Sequence, residues 1–109
     1  MNNLANDVPP PQGRNVRWRA DLPVTVARVR YLADLAVALV QLGRPSRVLV
    51  GENGGAALTL GACHRVVVVV VIRDGAGWSY LWDGSQRYPA GAGAEGLLRA
   101  ATALEAAAR

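Results

Sequence analysis

The residues able to do chemistry are few in this 109-residue chain, and their spacing sets them apart from one another. Cys63 and His64 are its one cysteine and one histidine. Side chains of adjacent residues on a strand point to opposite faces, so the two cannot converge as a nucleophile and its base. Nor do one cysteine and one histidine make a zinc site, which takes three or four ligands. Glu52-Asn53-Gly54-Gly55 has the composition of a backbone anion nest. It lacks the Gly-x-x-x-x-Gly-Lys-Ser/Thr pattern of a phosphate loop, and the chain contains no lysine to complete one. A hairpin turn is the simpler reading of Asn53-Gly54. Asp74 and Asp83 sit at the two ends of an aromatic segment, in turn-forming contexts where aspartate serves the backbone. Paired catalytic carboxylates need closer placement than that. Ser79 and Ser85 lie outside any nucleophile-elbow pattern. These residues assign no catalytic group, no metal site and no cofactor, and the expectation is a protein that is not an enzyme.

Charge and composition narrow the partners. The formal net charge is +4, and all twelve basic residues are arginine. They are spread along the chain, with one local cluster at Arg14, Arg17 and Arg19. A nucleic-acid surface concentrates its basic residues on one face, so this dispersion argues against nucleic acid and leaves Arg14–Arg19 as the one stretch suited to an acidic partner. The longest apolar run, Val66 to Ile72, is strand-sized and far short of a membrane span. The start, Met1 to Asp7, has no basic and apolar leader pattern. With a single cysteine, these features lead to an expectation of a cytoplasmic protein.

Positioning comes from a short series of elements. Residues 1–14, with Pro9-Pro10-Pro11, read as a flexible Pro-rich tail, and 15–109 as a single domain. Asp21-Leu22-Pro23 reads as a helix start. Val29, Leu32, Ala33, Ala36, Leu39 and Val40 then recur at helical spacing, with Leu35 and Leu42 widening the stripe, and Gly43 with Pro45 closes the helix. Arg30 and Asp34 fall four residues apart as a helical ion pair. Ser46–Gly51 and Ala56–Leu60 read as short strands. His64–Arg73, with six consecutive valines, is the strongest strand, since β-branched residues suit a pleated chain. Asp74–Gly77 is a turn, Trp78–Trp82 an alternating aromatic strand, Ser85–Tyr88 a short closing strand and Pro89–Gly93 a loop. Ala94–Ala108 reads as a terminal helix with Leu97, Ala101, Leu104 and Ala108 on one face. The fold class is therefore α+β: an N-terminal helix, an antiparallel sheet of three to five strands and a C-terminal helix, with both helices on one sheet face.

The hairpin fixes which side chains share a face. With Gly75-Ala76 as its loop, Arg73 lies opposite Trp78, Val71 opposite Tyr80 and Val69 opposite Trp82. One face then carries Arg65, Val67, Val69, Val71, Arg73, Trp78, Tyr80 and Trp82; the other carries His64, Val66, Val68, Val70 and Ile72, with Leu81 beside them. The aliphatic set is expected to take the helices. The aromatic set, rich in the residue types of binding hot spots, is then the candidate interface. The opposite allocation, with the rings as core, follows equally from general burial tendencies. Either way one side of the valine strand needs cover, and a homodimer built by sheet packing supplies it.

Two resemblances add to this reading. Trp18, Leu22-Pro23, Ala27-Arg28 and the following Leu/Ala helix resemble the opening of small histidine-kinase-like ATPases of the anti-sigma type. That resemblance implies a nucleotide site, but Glu52-Asn53 is followed by glycines, and Asp74-Gly75-Ala76-Gly77 departs from the Asp-x-Gly-x-Gly box. Gly77-Trp78, Trp82-Asp83-Gly84, Pro89 and Ala100-Ala101 resemble a pattern in small uncharacterised actinobacterial α+β proteins. The arginine-only, Ala- and Gly-rich composition accords with such a source. The functional expectation is an accessory module that self-associates as a dimer or binds a partner protein through its sheet. A small-ligand site on the aromatic, arginine-ended face and a degenerate nucleotide-binding protein are the alternatives.

Overall fold

A long helix whose apolar residues repeat at three and four leads into five strands joined by tight turns. The computed structural model describes residues 12–109, and side chains from Leu22 onward. The elements are α1 (Gln12–Gln41), β1 (Arg47–Val50), β2 (Ala56–Gly61), β3 (Val66–Asp74), β4 (Gly77–Trp82), β5 (Gln86–Ala90) and α2 (Gly93–Ala107). The strands form one antiparallel sheet in sequence order, β1-β2-β3-β4-β5. Both helices pack on the same face of it, giving the expected α+β fold.

Helix α1 starts at Gln12, not at Asp21, and Pro23 lies inside it. Proline removes one helical hydrogen bond, and thirty residues of helix outweigh that loss. The first turn of α1 thus takes residues 12–14 out of the expected tail. The rest of that tail, including Pro9-Pro10-Pro11, lies outside the described residues, as do the side chains of Arg14, Arg17, Trp18 and Arg19. The helix ends as its sequence predicts. Gly43 takes a left-handed φ of +80°, its N–H donates to the Val40 carbonyl, and the Arg44 N–H donates to the Leu39 carbonyl. Those two bonds are a Schellman motif.

The stripe of α1 that meets the sheet is shifted from the expected one. Thr25, Leu32, Leu35 and Leu39 are buried, with Arg28 half-buried on the same face. Ala33 and Val40 are exposed. The expected and observed stripes overlap because α1 is apolar on two sides. Leu22, Val26, Val29, Ala33, Ala36 and Val40 form a second seam at alternating four- and three-residue steps, exposed at Leu22, Val26, Ala33 and Val40. The expected Arg30–Asp34 ion pair is absent among the described residues.

Strand β3 runs from Val66 to Asp74, so Cys63 and His64 fall in the bend before it, both exposed. Strand alternation, expected to part their side chains, therefore does not apply to them. Pro89 and Ala90, expected in a loop, extend β5. Proline is tolerated there because β5 is an edge strand.

The register matches the sequence reading: Arg73 pairs with Trp78 and Val71 with Tyr80. The allocation of faces is reversed. The helices cover the aromatic face, where Val67, Val69, Val71, Tyr80 and Trp82 are all buried. They close over it with Leu32, Leu35 and Leu39 from α1 and Ala100, Ala101 and Leu104 from α2. The cause is area. An aromatic ring removes about 150–250 Å² from water, more than a valine can, at roughly 25 cal/mol per Å². One of the two buried polar tips is met on that side; the Trp82 indole N–H is buried with no hydrogen-bond partner among the described residues. The Tyr80 hydroxyl donates to the Tyr31 carbonyl of α1 at 2.7 Å. Trp82 stacks on Tyr88 of β5, with 5.2 Å between ring centres and planes 3° apart.

Candidate functional site

The eight residues expected to form an interface divide between core and rim. Val67, Val69, Val71, Tyr80 and Trp82 are core beneath the helices, and Trp78 is half-buried. Arg65 and Arg73 are exposed at opposite ends of the apolar run. Arg65 is committed: it pairs with Asp83 at 3.3 Å and donates to the Ala107 carbonyl at the end of α2 at 2.9 Å. Arg73 stacks on Trp78, its Cζ 4.6 Å from the ring centre. The two arginines therefore do not converge on one ligand.

The uncovered surface is the other side of the sheet. Val66, Val68, Val70 and Ile72 of β3 alternate with the buried valines and project away from the helices. Leu81 of β4 stands opposite Val70, and Leu49 of β1 extends the surface sideways. Val66 is 61% exposed, Leu49 52% and Val68 48%. An antiparallel sheet with one wet face normally alternates apolar with polar residues; here the wet side of the central strand is aliphatic from Val66 to Ile72. Sequence reasoning found these residues and assigned them to the core. The missed signal was the size of the rings on the opposing set.

The border of this face is polar and mostly neutralised within the chain. Arg87 of β5 pairs with Asp74 at 3.1 Å, and Asp74 also accepts from the Ser79 hydroxyl at 3.2 Å. Arg47 of β1 has no ion pair among the described residues. At the far end of the helical layer, Arg44 binds Glu105 at 3.3 Å and so ties α1 to α2. Glu105 also holds Arg109, which keeps its carboxyl below the usual carboxylate range.

The candidate nest at Glu52–Gly55 is closed on itself. Gly54 N–H donates to the Gly51 carbonyl at 3.0 Å and Gly55 N–H to Asn53 Oδ1 at 3.0 Å. The Gly54 carbonyl accepts the buried Thr25 hydroxyl of α1 at 2.7 Å. The turn is a clasp between sheet and helix, and those amides are not free for an anion. Among the described residues no group of three or more histidine, cysteine, aspartate and glutamate side chains could hold a metal ion. No helix among them is long and apolar enough to cross a membrane.

Comparison of the chain with models of protein families, with curated proteins and with solved structures gives no match.

Proposed function

We propose that this protein is a non-enzymatic interaction module that dimerises by laying the open face of its sheet on that of a second copy. The observation that supports it most is the aliphatic stretch on the helix-free side of the central strand, exposed at Val66 and Val68 and half-buried at Val70 and Ile72. A patch of this kind marks an interface more often than a bare surface. The occupant is a second copy because the face is mostly aliphatic and self-complementary: Asp74 and Arg87 cancel each other, and Arg47, at the β1 edge, leaves one positive charge at the border rather than at the centre. Two such sheets stack about 10 Å apart.

The area sets the strength. Five strands about 4.8 Å apart, covered over about 17 Å of their length, present roughly 400 Å². Two faces then bury roughly 800 Å², below the about 1,200 Å² where stable specific interfaces begin, so the dimer is a weak, transient one. The reading includes a reducing compartment: Cys63 is exposed and free, and under oxidising conditions it would cross-link copies.

Light scattering during size-exclusion chromatography over a range of loading concentrations tests the proposal. The expected result is a shift from monomer to dimer as concentration rises, abolished by Val68→Arg and unaffected by Val37→Arg on the outer side of α1. A monomer at every concentration overturns it and leaves a different protein as the partner. Loss of the dimer with Val37→Arg alone overturns it in favour of the outer seam of α1.

A further inference from the structure

We infer that the end of the fold beside the β1–β2 turn holds a binding site for a small oxyanion, a carboxylate or phosphate group, gripped by Arg28 and Arg73 around Trp78. Arg28 sits in the core-facing row of α1 with Thr25, Leu32, Leu35 and Leu39. A charged residue in that row, half-buried at the rim, needs a reason. Its Nε is buried and has no hydrogen-bond partner among the described residues. Its Cζ lies 5.7 Å from the Trp78 ring centre, and that of Arg73 lies 4.6 Å from the same centre. One indole thus serves two cations, and neither has a carboxylate partner among the described residues.

The surroundings fit an anion. A cavity of about 370 Å³ is lined by Val24, Thr25, Arg28, Asn53, Gly54 and Gly55. Asn53 Oδ1 is occupied by the Gly55 N–H, which leaves the Asn53 amide NH₂ as a further donor at the wall. The Gly54 and Gly55 amides are spent internally, so the positive charge at the cavity wall is Arg28 of α1 and not a nest; Arg73 of β3 does not line the cavity and is linked to it through the Trp78 ring that it shares with Arg28. Tyr31, with its ring centre 6.0 Å from that of Trp78, holds the indole from the helix side. Guanidinium groups bind oxyanions through paired N–H donors, and a bound anion offsets the like charge of two of them held at one ring. Other arginines also lack a carboxylate partner among the described residues, but Arg28 and Arg73 are the two that separate elements bring to one ring. The site lies on the helix-covered side of the sheet and does not depend on the dimer.

The test is a titration of the full chain with inorganic phosphate and, separately, with acetate, at ionic strength held constant with sodium chloride. The readout is the Trp78 indole N–H in ¹H–¹⁵N spectra, assigned with Trp78→Phe. The expected result is a saturable shift with at least one anion, and the tighter of the two names the oxyanion. Arg73→Gln, an exposed change that leaves the core intact, and Arg28→Gln each weaken binding about tenfold, the loss of one charged hydrogen bond. Arg47→Gln, another arginine without an ion pair but on the open face, changes nothing. A shift that stays linear with both anions overturns the inference. So does equal weakening by Arg47→Gln and Arg73→Gln, which would mean a response to net charge alone.

Discussion

Val68 and Val69 are neighbours in β3, identical in chemistry and opposite in environment, so truncating each to alanine isolates what the helix layer covers. Val69 is 0% exposed and Val68 48%. Val69→Ala removes two buried methyl groups and leaves a cavity against α1, a loss of about 2 kcal/mol. Val68→Ala removes methyl groups already half in water and leaves no cavity, so its cost in the monomer is about 0.5 kcal/mol. The lower intrinsic strand preference of alanine applies to both and cancels in the comparison. For a domain of this size about 4 °C of Tm accompanies each kcal/mol. Val69→Ala is therefore expected to melt about 8 °C lower and Val68→Ala about 2 °C lower. The assay is thermal unfolding by circular dichroism at low micromolar protein, where the dimer contributes least. Repeating it at high concentration should enlarge the Val68→Ala deficit, because that change also weakens the dimer. Equal losses at low concentration, or a larger loss at Val68, would refute the assignment of faces.

Three further outcomes follow from individual contacts. Burial, the nearby Asp34 and the Tyr31 phenol all push the Tyr80 hydroxyl well above its ordinary range. A raised folded-state value means this stabilisation is complete below about pH 10, the unfolded tyrosine value, and falls as pH climbs above it. Tyr80→Phe should cost about 1 kcal/mol at pH 7, for the lost bond to the Tyr31 carbonyl, and flatten the alkaline limb of a stability–pH curve from urea titrations. Gly91 has a φ of +77°, and a Cβ there would stand 3.2 Å from Tyr31 Cε1. Gly91→Ala should lower stability by about 1–2 kcal/mol from the left-handed backbone alone, measured by the same titration. Arg65→Gln frees the Ala107 carbonyl and Asp83; about 0.5–1 kcal/mol should be lost, with faster amide exchange in the last turn of α2.

The elements were legible because their signals are local. Six valines in a row, a glycine-containing turn and five residues alternating around three rings fix a hairpin and its register without tertiary information. Gly43 ended α1 as expected because its left-handed φ is a property of glycine itself. The start of α1 was not legible: Pro23 resembles a first-turn proline, and only the packing of a long helix shows that it lies in the interior. The face that the helices cover was legible only in part. Alternation divides β3 into two sets, and both are apolar, so patterning cannot choose between them. The choice is made by ring area and by the reach of the Tyr80 hydroxyl to α1, which depend on where the helix lies. The same ambiguity made the expected stripe of α1 too wide, since Val29, Ala33 and Val40 are as apolar as the buried Leu32, Leu35 and Leu39. Arg28 was invisible as a site residue for a further reason. Its partners, Trp78 and the Asn53 turn, come from two separate hairpins.

The open sheet face is tested most directly by methyl-resolved ¹H–¹³C spectra of the full chain recorded over a concentration series. The account predicts that the methyl signals of Val66, Val68, Val70, Ile72 and Leu81 move together as concentration rises. Those of Val67, Val69 and Val71 beneath the helices, and of Val37 and Val40 on α1, should stay fixed. Signals that do not move at any concentration, or movement confined to Val37 and Val40, would contradict it.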